Sequence, residues 1–315
     1  MRILITGANG FIGSNLVNFF SKNHRLLLIT RSNNKLLNHL VLDYKDMFSE
    51  EGKKIIKNFA PTHIIHCAAL AHENIRRNKR NLKFIKKINV DFPIKLYLFG
   101  NSIGVEKFIF LSSIGVHIRN GQSKKVINEN SEILFNNLYT NSKIEAEMKL
   151  KKKSKKRNTI LIILRPAMVY GFSCPGNFKK LQTSVEIGLP LPFKNLNNQR
   201  SFLYIGNLVS AIALCCKKCN SNKTFVIADE EMISNENLLK IISKARNKKE
   251  KLFTVSKFFL DLLSNVPFLR NIIGKLFYDL KVDSSLIRSS LNWKQPFKQN
   301  EALEISFKKN NKFIN

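Results

Sequence analysis

Near its start the chain runs from a short β-branched and aliphatic stretch, residues 3–6, straight into Gly7-Ala8-Asn9-Gly10-Phe11-Ile12-Gly13, and a helical pattern follows. Three glycines between a strand and a helix constrain the fold more than any other feature here. Glycine permits the tight turn, lets helix and strand pack closely, and lets backbone N–H groups approach an anion lying at the positive end of the helix dipole. The backbone of Gly7, Gly10, Phe11, Ile12 and Gly13 is therefore the expected cradle for a pyrophosphate. The spacing is GxxGxxG, one residue longer between the first two glycines than GxGxxG.

A cradle of this kind requires a βαβ unit, and the rest of the chain supplies more of them. Apolar runs at 26–30, 63–67, 107–112, 159–164 and 224–227 recur between segments with three- and four-residue apolar periodicity at 11–22, 88–102 and 139–152. The runs are apolar throughout, as strands covered on both faces are. The expected fold class is α/β, a doubly wound parallel Rossmann sheet with a smaller C-terminal substrate-binding lobe. Beyond residue 170, Gly171, Pro175, Gly176, Gly188, Pro190 and Pro192 punctuate the pattern. The expected division is 1–170 for the nucleotide-binding domain and 171–315 for the lobe, with 202–228 returning to the first sheet. Ser234 reads as an N-cap with Glu236 in the first turn. The amphipathic stretch 252–280 reads as core and rim helices of the lobe, with membrane-surface docking as the other reading.

Further candidate residues sit at strand ends. The second strand closes on Thr30-Arg31-Ser32, where an acid would hold the ribose hydroxyls of NAD; Arg31 instead suits a 2′-phosphate, so NAD or NADP is expected. Asp43 is a candidate adenine contact. His66-Cys67-Ala68-Ala69 ends the next strand in small residues, so that Ala68 and Ala69 let the backbone pass close to a cofactor. Tyr139 and Lys143 stand at i and i+4 on one helical face, where an ammonium near the phenol would lower its pKa and make Tyr139 a general acid or base. Ser113, at the carboxyl end of the run 107–112, completes a Ser/Tyr/Lys set.

In this order and spacing the motifs resemble the extended short-chain dehydrogenase/reductase family, in its NAD-dependent epimerase/dehydratase branch. They are Gly7, Gly10 and Gly13; His66 to Ala69; Asn89; Ser113; Tyr139 with Lys143; Arg165-Pro166 before Val169-Tyr170-Gly171; and Arg200-Ser201-Phe202 before Asn207-Leu208-Val209. The resemblance covers nearly the whole chain. It implies hydride exchange at a sugar carbon, with Tyr139 moving the hydroxyl proton, Lys143 bonding the nicotinamide ribose and Ser113 holding the reacting oxygen. It also implies a nucleotide-sugar substrate, UDP-linked, gripped by Asn177 and Arg200 at the diphosphate and by Leu191 and Phe193 at the uracil. A homodimer through 88–102 and 139–152 follows from the same likeness.

Dehydratases of the family carry Asp-Glu after the catalytic Ser/Thr; Ile114 and Gly115 stand there and cannot move a proton, which disfavours dehydration. Two reactions survive: epimerisation at C4 of a UDP-hexose through a transient 4-keto intermediate, and NAD(P)H-dependent reduction of a UDP-4-ketosugar. Gly206 replaces the Asp that usually precedes Asn-Leu-Val, and His117 stands where Tyr-Gly is common. His72 reads either as lining the sugar pocket or as capping its loop.

Charge adds a third class. Lys and Arg number 53 against 22 Asp and Glu, a formal net charge of +31, while the hydrophobic fraction of 44% is that of an ordinary globular chain. Disorder is excluded on that ground, and a basic, non-catalytic Rossmann binding protein is the competing function. Intact Ser113, Tyr139 and Lys143 argue against it. The run 149–157 falls where the Tyr/Lys helix ends, a place that favours cations, and lacks the interleaved aromatics of a single-strand binder. No nucleic-acid partner is expected; a weak attraction to an anionic membrane surface is left open. Five Cys form no disulfide framework, Met1 runs directly into a strand, and a cytoplasmic location is expected. Cys215, Cys216 and Cys219 lack a second pair nearby and read as buried thiols, with no metal.

Overall fold

The aliphatic runs build one seven-stranded sheet. A computed structural model of the chain describes residues 1–31, 39–71, 79–123 and 125–308. The first part of the chain gives β1 (Arg2–Thr6), α1 (Phe11–Phe20), β2 (Arg25–Thr30), β3 (Leu40–Asp43), α2 (Glu50–Phe59), β4 (His63–His66) and α3 (Lys79–Ile85). A π-helical segment (Lys86–Asp91) leads into α4 (Phe92–Ser102), then β5 (Lys107–Leu111), a short helical turn (Ile114–His117), α5 (Leu138–Ser154) and β6 (Ile160–Pro166). Next come β7 (Met168–Tyr170), α6 (Asn177–Glu186), β8 (Arg200–Tyr204), α7 (Ile205–Lys218), β9 (Lys223–Ile227) and β10 (Met232–Ile233). The chain closes with α8 (Asn235–Ala245), α9 (Lys257–Ser264), α10 (Pro267–Phe277), α11 (Ser285–Leu291) and α12 (Gln299–Phe307).

The large sheet has the order β3-β2-β1-β4-β5-β6-β9. β1 pairs in parallel with β2 and with β4, Ile3 lying opposite Leu26 on one side and His63 on the other. The strand order reverses between β1 and β4, and ligands of open α/β sheets bind at the carboxyl ends of such a pair. Those ends carry Gly7 and Cys67. Alternate residues of the sheet, Leu4, Leu27, Ile29, Ile64, Phe108, Phe110, Leu161 and Ile163, form one buried cluster with Leu96 and Tyr97 of α4 and Ala146 and Leu150 of α5. Removing the Leu150 side chain from such a cluster costs about 2–5 kcal/mol. At the other end of the sheet the buried Lys107 Nζ donates to the Cys216 carbonyl at 2.7 Å, and His63 Nε2 lies 3.1 Å from the same oxygen. Two side chains thus satisfy the carbonyl end of α7, which four-residue bonding leaves open.

Two compact units result, one of residues 1–116, 135–165 and 211–225, the other of 117–134, 166–210 and 226–315. The strand expected to return with 202–228 does not do so as a whole. β8 pairs with β7 in parallel and with β10 antiparallel in a separate three-stranded sheet, while β9 joins the large one. Every residue of β8 is buried, so its composition is that of any two-face-covered strand and carries no mark of which sheet it enters. In the second unit Ser234 caps α8, its side chain accepting from Asn237 N at 3.1 Å. The 252–280 stretch forms α9 and α10, and only part of its apolar surface is packed. Ile273 and Leu280 are buried, whereas Phe258 is 80% exposed and Phe259, Leu262, Val266 and Ile272 are also exposed.

Candidate active site

The turn after β1 is built for close approach. Gly7 has φ +71°, and Gly10 N donates to Gly7 O at 2.9 Å. A Cβ on Gly7 would stand 2.8 Å from Ala68 N, and one on Gly13 would collide with the Gly7 carbonyl oxygen. Each glycine is therefore required by contact. Helix α1 begins at Gly10 with no side-chain cap and no acid in its first turn, so the N–H groups of Phe11 and Ile12 meet no internal anion. That end of the helix fits a phosphate group.

The strand next door is held to the same turn. Ala68 N donates to Thr6 Oγ1 at 3.3 Å, and Thr6 Oγ1 lies 2.8 Å from His66 Nδ1. His66 is buried against Phe110, at 5.8 Å with rings 7° apart, and its Nε2 has no hydrogen-bond partner among the described residues. Burial holds its pKa well below the usual imidazole value, so the ring is neutral. Beyond Ala69, Asn89 brackets Leu70, accepting from Leu70 N at 2.8 Å and donating to Leu70 O at 3.1 Å; it also donates to Ser142 Oγ at 2.9 Å. Asn89 lies in the π-helical segment, the kind of local widening that turns one side chain out of helical register. Arg31 is exposed just past β2, and Asp43 ends β3 opposite Thr30, accepting from Lys45 N at 2.7 Å. Ser32 and His72 lie outside the described residues.

Helix α5 starts with a capping box in which Asn137 Oδ1 accepts from Thr140 N at 2.9 Å and Thr140 Oγ1 accepts from Asn137 N at 3.2 Å. The box fixes the first turn, which carries Tyr139. A Cβ on Gly115 would stand 2.9 Å from Thr140 Cγ2 and 3.2 Å from Ser113 Oγ, so glycine at 115 is what lets α5 close on the Ser113 loop. Ser113 Oγ accepts from Gly115 N at 3.0 Å.

Tyr139, Lys143 and Glu147 follow at four-residue intervals. Lys143 is buried, with Nζ donating to Leu111 O at 2.6 Å and lying 4.6 Å from the Phe110 ring centroid and 5.9 Å from that of Tyr139. Burial lowers its pKa to about 8, partly offset by Cys67 and Glu147. The expected effect on Tyr139 is reversed. Burial pushes the phenol up to about 12, because desolvation of a phenolate outweighs an ammonium directed at the Leu111 carbonyl. Glu147, one turn further, is buried and accepts from Ser112 Oγ at 2.5 Å and from Arg165 Nε at 3.1 Å. The end of β5 is thus tied to α5 at successive residues: Leu111 by Lys143 and Ser112 by Glu147. Glu147 was not among the expected site residues, although a third residue at i+4 from Lys143 is legible from helical spacing.

The candidate substrate residues fall in the second unit. Asn177 is exposed in the first turn of α6, whose N-cap Gly176 has φ +79°. Leu191 and Phe193 are buried, Phe193 stacking on Phe277 at 5.4 Å. Arg200 is 2% exposed and donates to the carbonyls of Tyr278 at 2.6 Å, Gly274 at 3.2 Å and Gly121 at 3.4 Å. Its guanidinium here ties β8 to two other segments, the end of α10 and the turn at Gly121, and burial lowers its pKa to about 10. The departure at Gly206 has a steric reason. A Cβ there would meet Tyr204 Cε1 at 2.6 Å and Phe297 Cε2 at 2.9 Å, which leaves no room for Asp. Asn207 is buried and donates to Asp229 Oδ1 at 2.7 Å and to Phe297 O at 3.0 Å.

Known proteins share both sequence and fold with this chain. It is 29% identical over 315 residues to a UDP-glucose 4-epimerase of Vibrio cholerae, covering 97% of this chain and 93% of the relative. A solved UDP-glucose 4-epimerase from Thermotoga maritima, crystallised with UDP-glucose, superposes with a TM-score of 0.76 at 23% identity, over 98% of this chain and 97% of that one. A UDP-glucuronic acid 4-epimerase from Bacillus cereus, in complex with NAD, gives 0.76 at 18% identity over 98% and 95%. The family model for the NAD dependent epimerase/dehydratase family matches residues 3–228. With its glycine cradle, its Tyr139/Lys143 helix and that match over most of its length, the chain belongs to the NAD dependent epimerase/dehydratase family.

Proposed function

We propose that this enzyme interconverts the C4 epimers of a UDP-hexose, with NAD held in the cradle of Gly7, Gly10, Phe11, Ile12 and Gly13. The observation that supports the reading is that α5 carries Tyr139 and Lys143 to the carboxyl end of β5 and packs on the Ser113 loop at Gly115, in the unit that also holds the glycine turn. Full-length likeness to a UDP-glucose 4-epimerase supports the substrate class. Ala68, Ala69, Asp43 and Arg31 would border the cofactor, and the family's dependence on NAD outweighs the basic Arg31. When bound, NAD would supply the hydride acceptor and donor for the sugar carbon.

The protein's own groups handle the proton. Tyr139 takes the C4 hydroxyl proton and gives it back to the carbonyl oxygen, and Ser113 donates to that oxygen. A phenol raised to about 12 is protonated at neutral pH, so its turn as base needs positive charge brought near it, and Lys143 is the cation at hand. Lys143 carries that charge only below its pKa of about 8. The rate is therefore expected to fall as pH rises past about 8, which a pH profile of kcat/KM checks. In the second unit Asn177 would meet the diphosphate and Leu191 and Phe193 the uracil; Arg200 joins them only if its carbonyl partners release it.

Incubation with UDP-glucose or UDP-N-acetylglucosamine without added cofactor should yield the C4 epimer, and protein as purified should carry nicotinamide absorbance. Tyr139→Phe is expected to lower kcat roughly 100- to 10,000-fold while leaving nicotinamide binding intact. Turnover only with NADH or NADPH and a 4-ketosugar would make the enzyme a ketoreductase. Tight nucleic-acid binding with no nicotinamide binding would overturn the enzymatic reading altogether. We extend the proposal to a homodimer through the helices at 88–102 and 139–152, and a monomeric mass by light scattering at micromolar concentration would contradict it.

A further inference from the structure

None of the described side chains of helix α9 is fully buried, and only Leu260, Leu263 and Ser264 among them are even partly covered. Phe258 is 80% exposed, Leu262 55% and Phe259 50%; Phe258 and Leu262 share one face at i and i+4. The apolar exposure continues through Val266, which opens α10, to Ile272 on α10 and back to Phe253 before α9. Six large apolar side chains within 20 residues form a concentration that a water-facing surface does not need. The same stretch is cationic. Lys248, Lys249, Lys251, Lys257, Arg270 and Lys275 stand against two acids, Glu250 and Asp261. The Asp261 carboxylate is further engaged by the Tyr278 hydroxyl at 2.6 Å.

We propose that α9 and α10 form a docking surface for an anionic lipid bilayer, on which the apolar stripe lies in the headgroup and acyl boundary and the flanking cations meet lipid phosphates. Three observations choose this occupant. A second copy of the chain would bring one cationic patch against an identical one in a two-fold contact, which like charges oppose. Single-stranded nucleic acid stacks on rings, yet half of the stripe is aliphatic: Leu262, Val266 and Ile272. Short amphipathic helices with Phe and Leu on one side and Lys and Arg around them suit an interface. Among the described residues no helix is long and apolar enough to cross a membrane, so this contact lies on the surface.

The test is co-sedimentation of the full chain with vesicles of phosphatidylcholine alone or with about one-third phosphatidylglycerol, where the anionic set should bind at least roughly 10-fold more tightly and release protein as salt rises. Phe258→Ser with Leu262→Ser should cut that binding roughly 10-fold or more, since each buried CH₂ counts, and should leave epimerase turnover unchanged. Equal binding of the double variant would put the lipid contact elsewhere, on the surface of 149–157 for example, and overturn the proposal. So would failure to bind either vesicle at low salt, displacement from the vesicles by single-stranded RNA at stoichiometric amounts, or a lower oligomeric mass of the variant by light scattering without any vesicle binding. Unchanged turnover separates loss of docking from loss of fold.

Discussion

Among the described residues each unit buries one carboxylate, and the two are compensated differently. Glu147, in the first unit, is 3% exposed and faces a cation, Arg165, which is equally buried, with Ser112 as a further donor. Asp229, in the second, is 2% exposed and receives only neutral donors: Asn207 Nδ2 at 2.7 Å, Tyr204 N at 3.0 Å and Tyr170 OH at 3.1 Å. Burial raises the Asp229 pKa from 3.8 to about 6 despite those three bonds, and burial first, with the neighbouring carboxylate second, pushes the Tyr170 phenol up as well. Hydrogen bonds satisfy lone pairs; they do not replace the hydration of a full charge. The ion pair lies at the end of β5, where Glu147 accepts from Ser112 Oγ one turn along α5 from Lys143. The neutral-donor cluster instead joins β8, α7 and the segment at Phe297.

The sharpest break of this comparison is Arg165→Met. It leaves Glu147 buried without its main cation and is expected to cost about 3–5 kcal/mol, read from urea denaturation, with most of the loss restored in the Glu147→Gln, Arg165→Met pair. If Arg165→Met costs no more than a surface change, the ion pair does not govern this region. The next effect is pH-dependent. Asp229 in the folded chain holds its proton to higher pH than in the unfolded chain, so its contribution is most favourable below about 4 and is lost as pH rises through about 6. The loss is on the order of 3 kcal/mol, and Asp229→Asn should flatten that part of the stability curve between pH 4 and 7. The smallest effects are expected at helix caps, where no charge is buried: Ser234→Ala in the second unit and Asn137→Ala in the first should each cost about 1 kcal/mol. An Asn137→Ala loss of turnover well beyond that energy would mean that the capping box also sets the Tyr139 position.

Local features were readable because each rests on short-range rules. The glycine turn, the Tyr139 and Lys143 interval, the Ser234 cap and the apolar strands follow from backbone freedom, helical period and burial on two faces. What could not be read lies in contacts between distant segments. Nothing within Arg200-Ser201-Phe202 says that its strand joins β7 and β10, or that the guanidinium meets the carbonyls of Gly274 and Tyr278. The raised pKa of Tyr139 is of the same kind: spacing puts Lys143 on its face, but the desolvation that pushes the phenol up comes from what the fold packs around it, and the ammonium itself donates to Leu111 O of another element.

By itself, then, the sequence determined the α/β architecture, the place of the phosphate cradle and the residue types of the NAD dependent epimerase/dehydratase family. Only the tertiary structure decided which buried charges are matched, which strand enters which sheet and which apolar face of α9 and α10 is left unpacked by the chain itself. Spacing along a chain reports neighbours within a few residues, whereas desolvation and charge pairing depend on whatever the fold brings alongside.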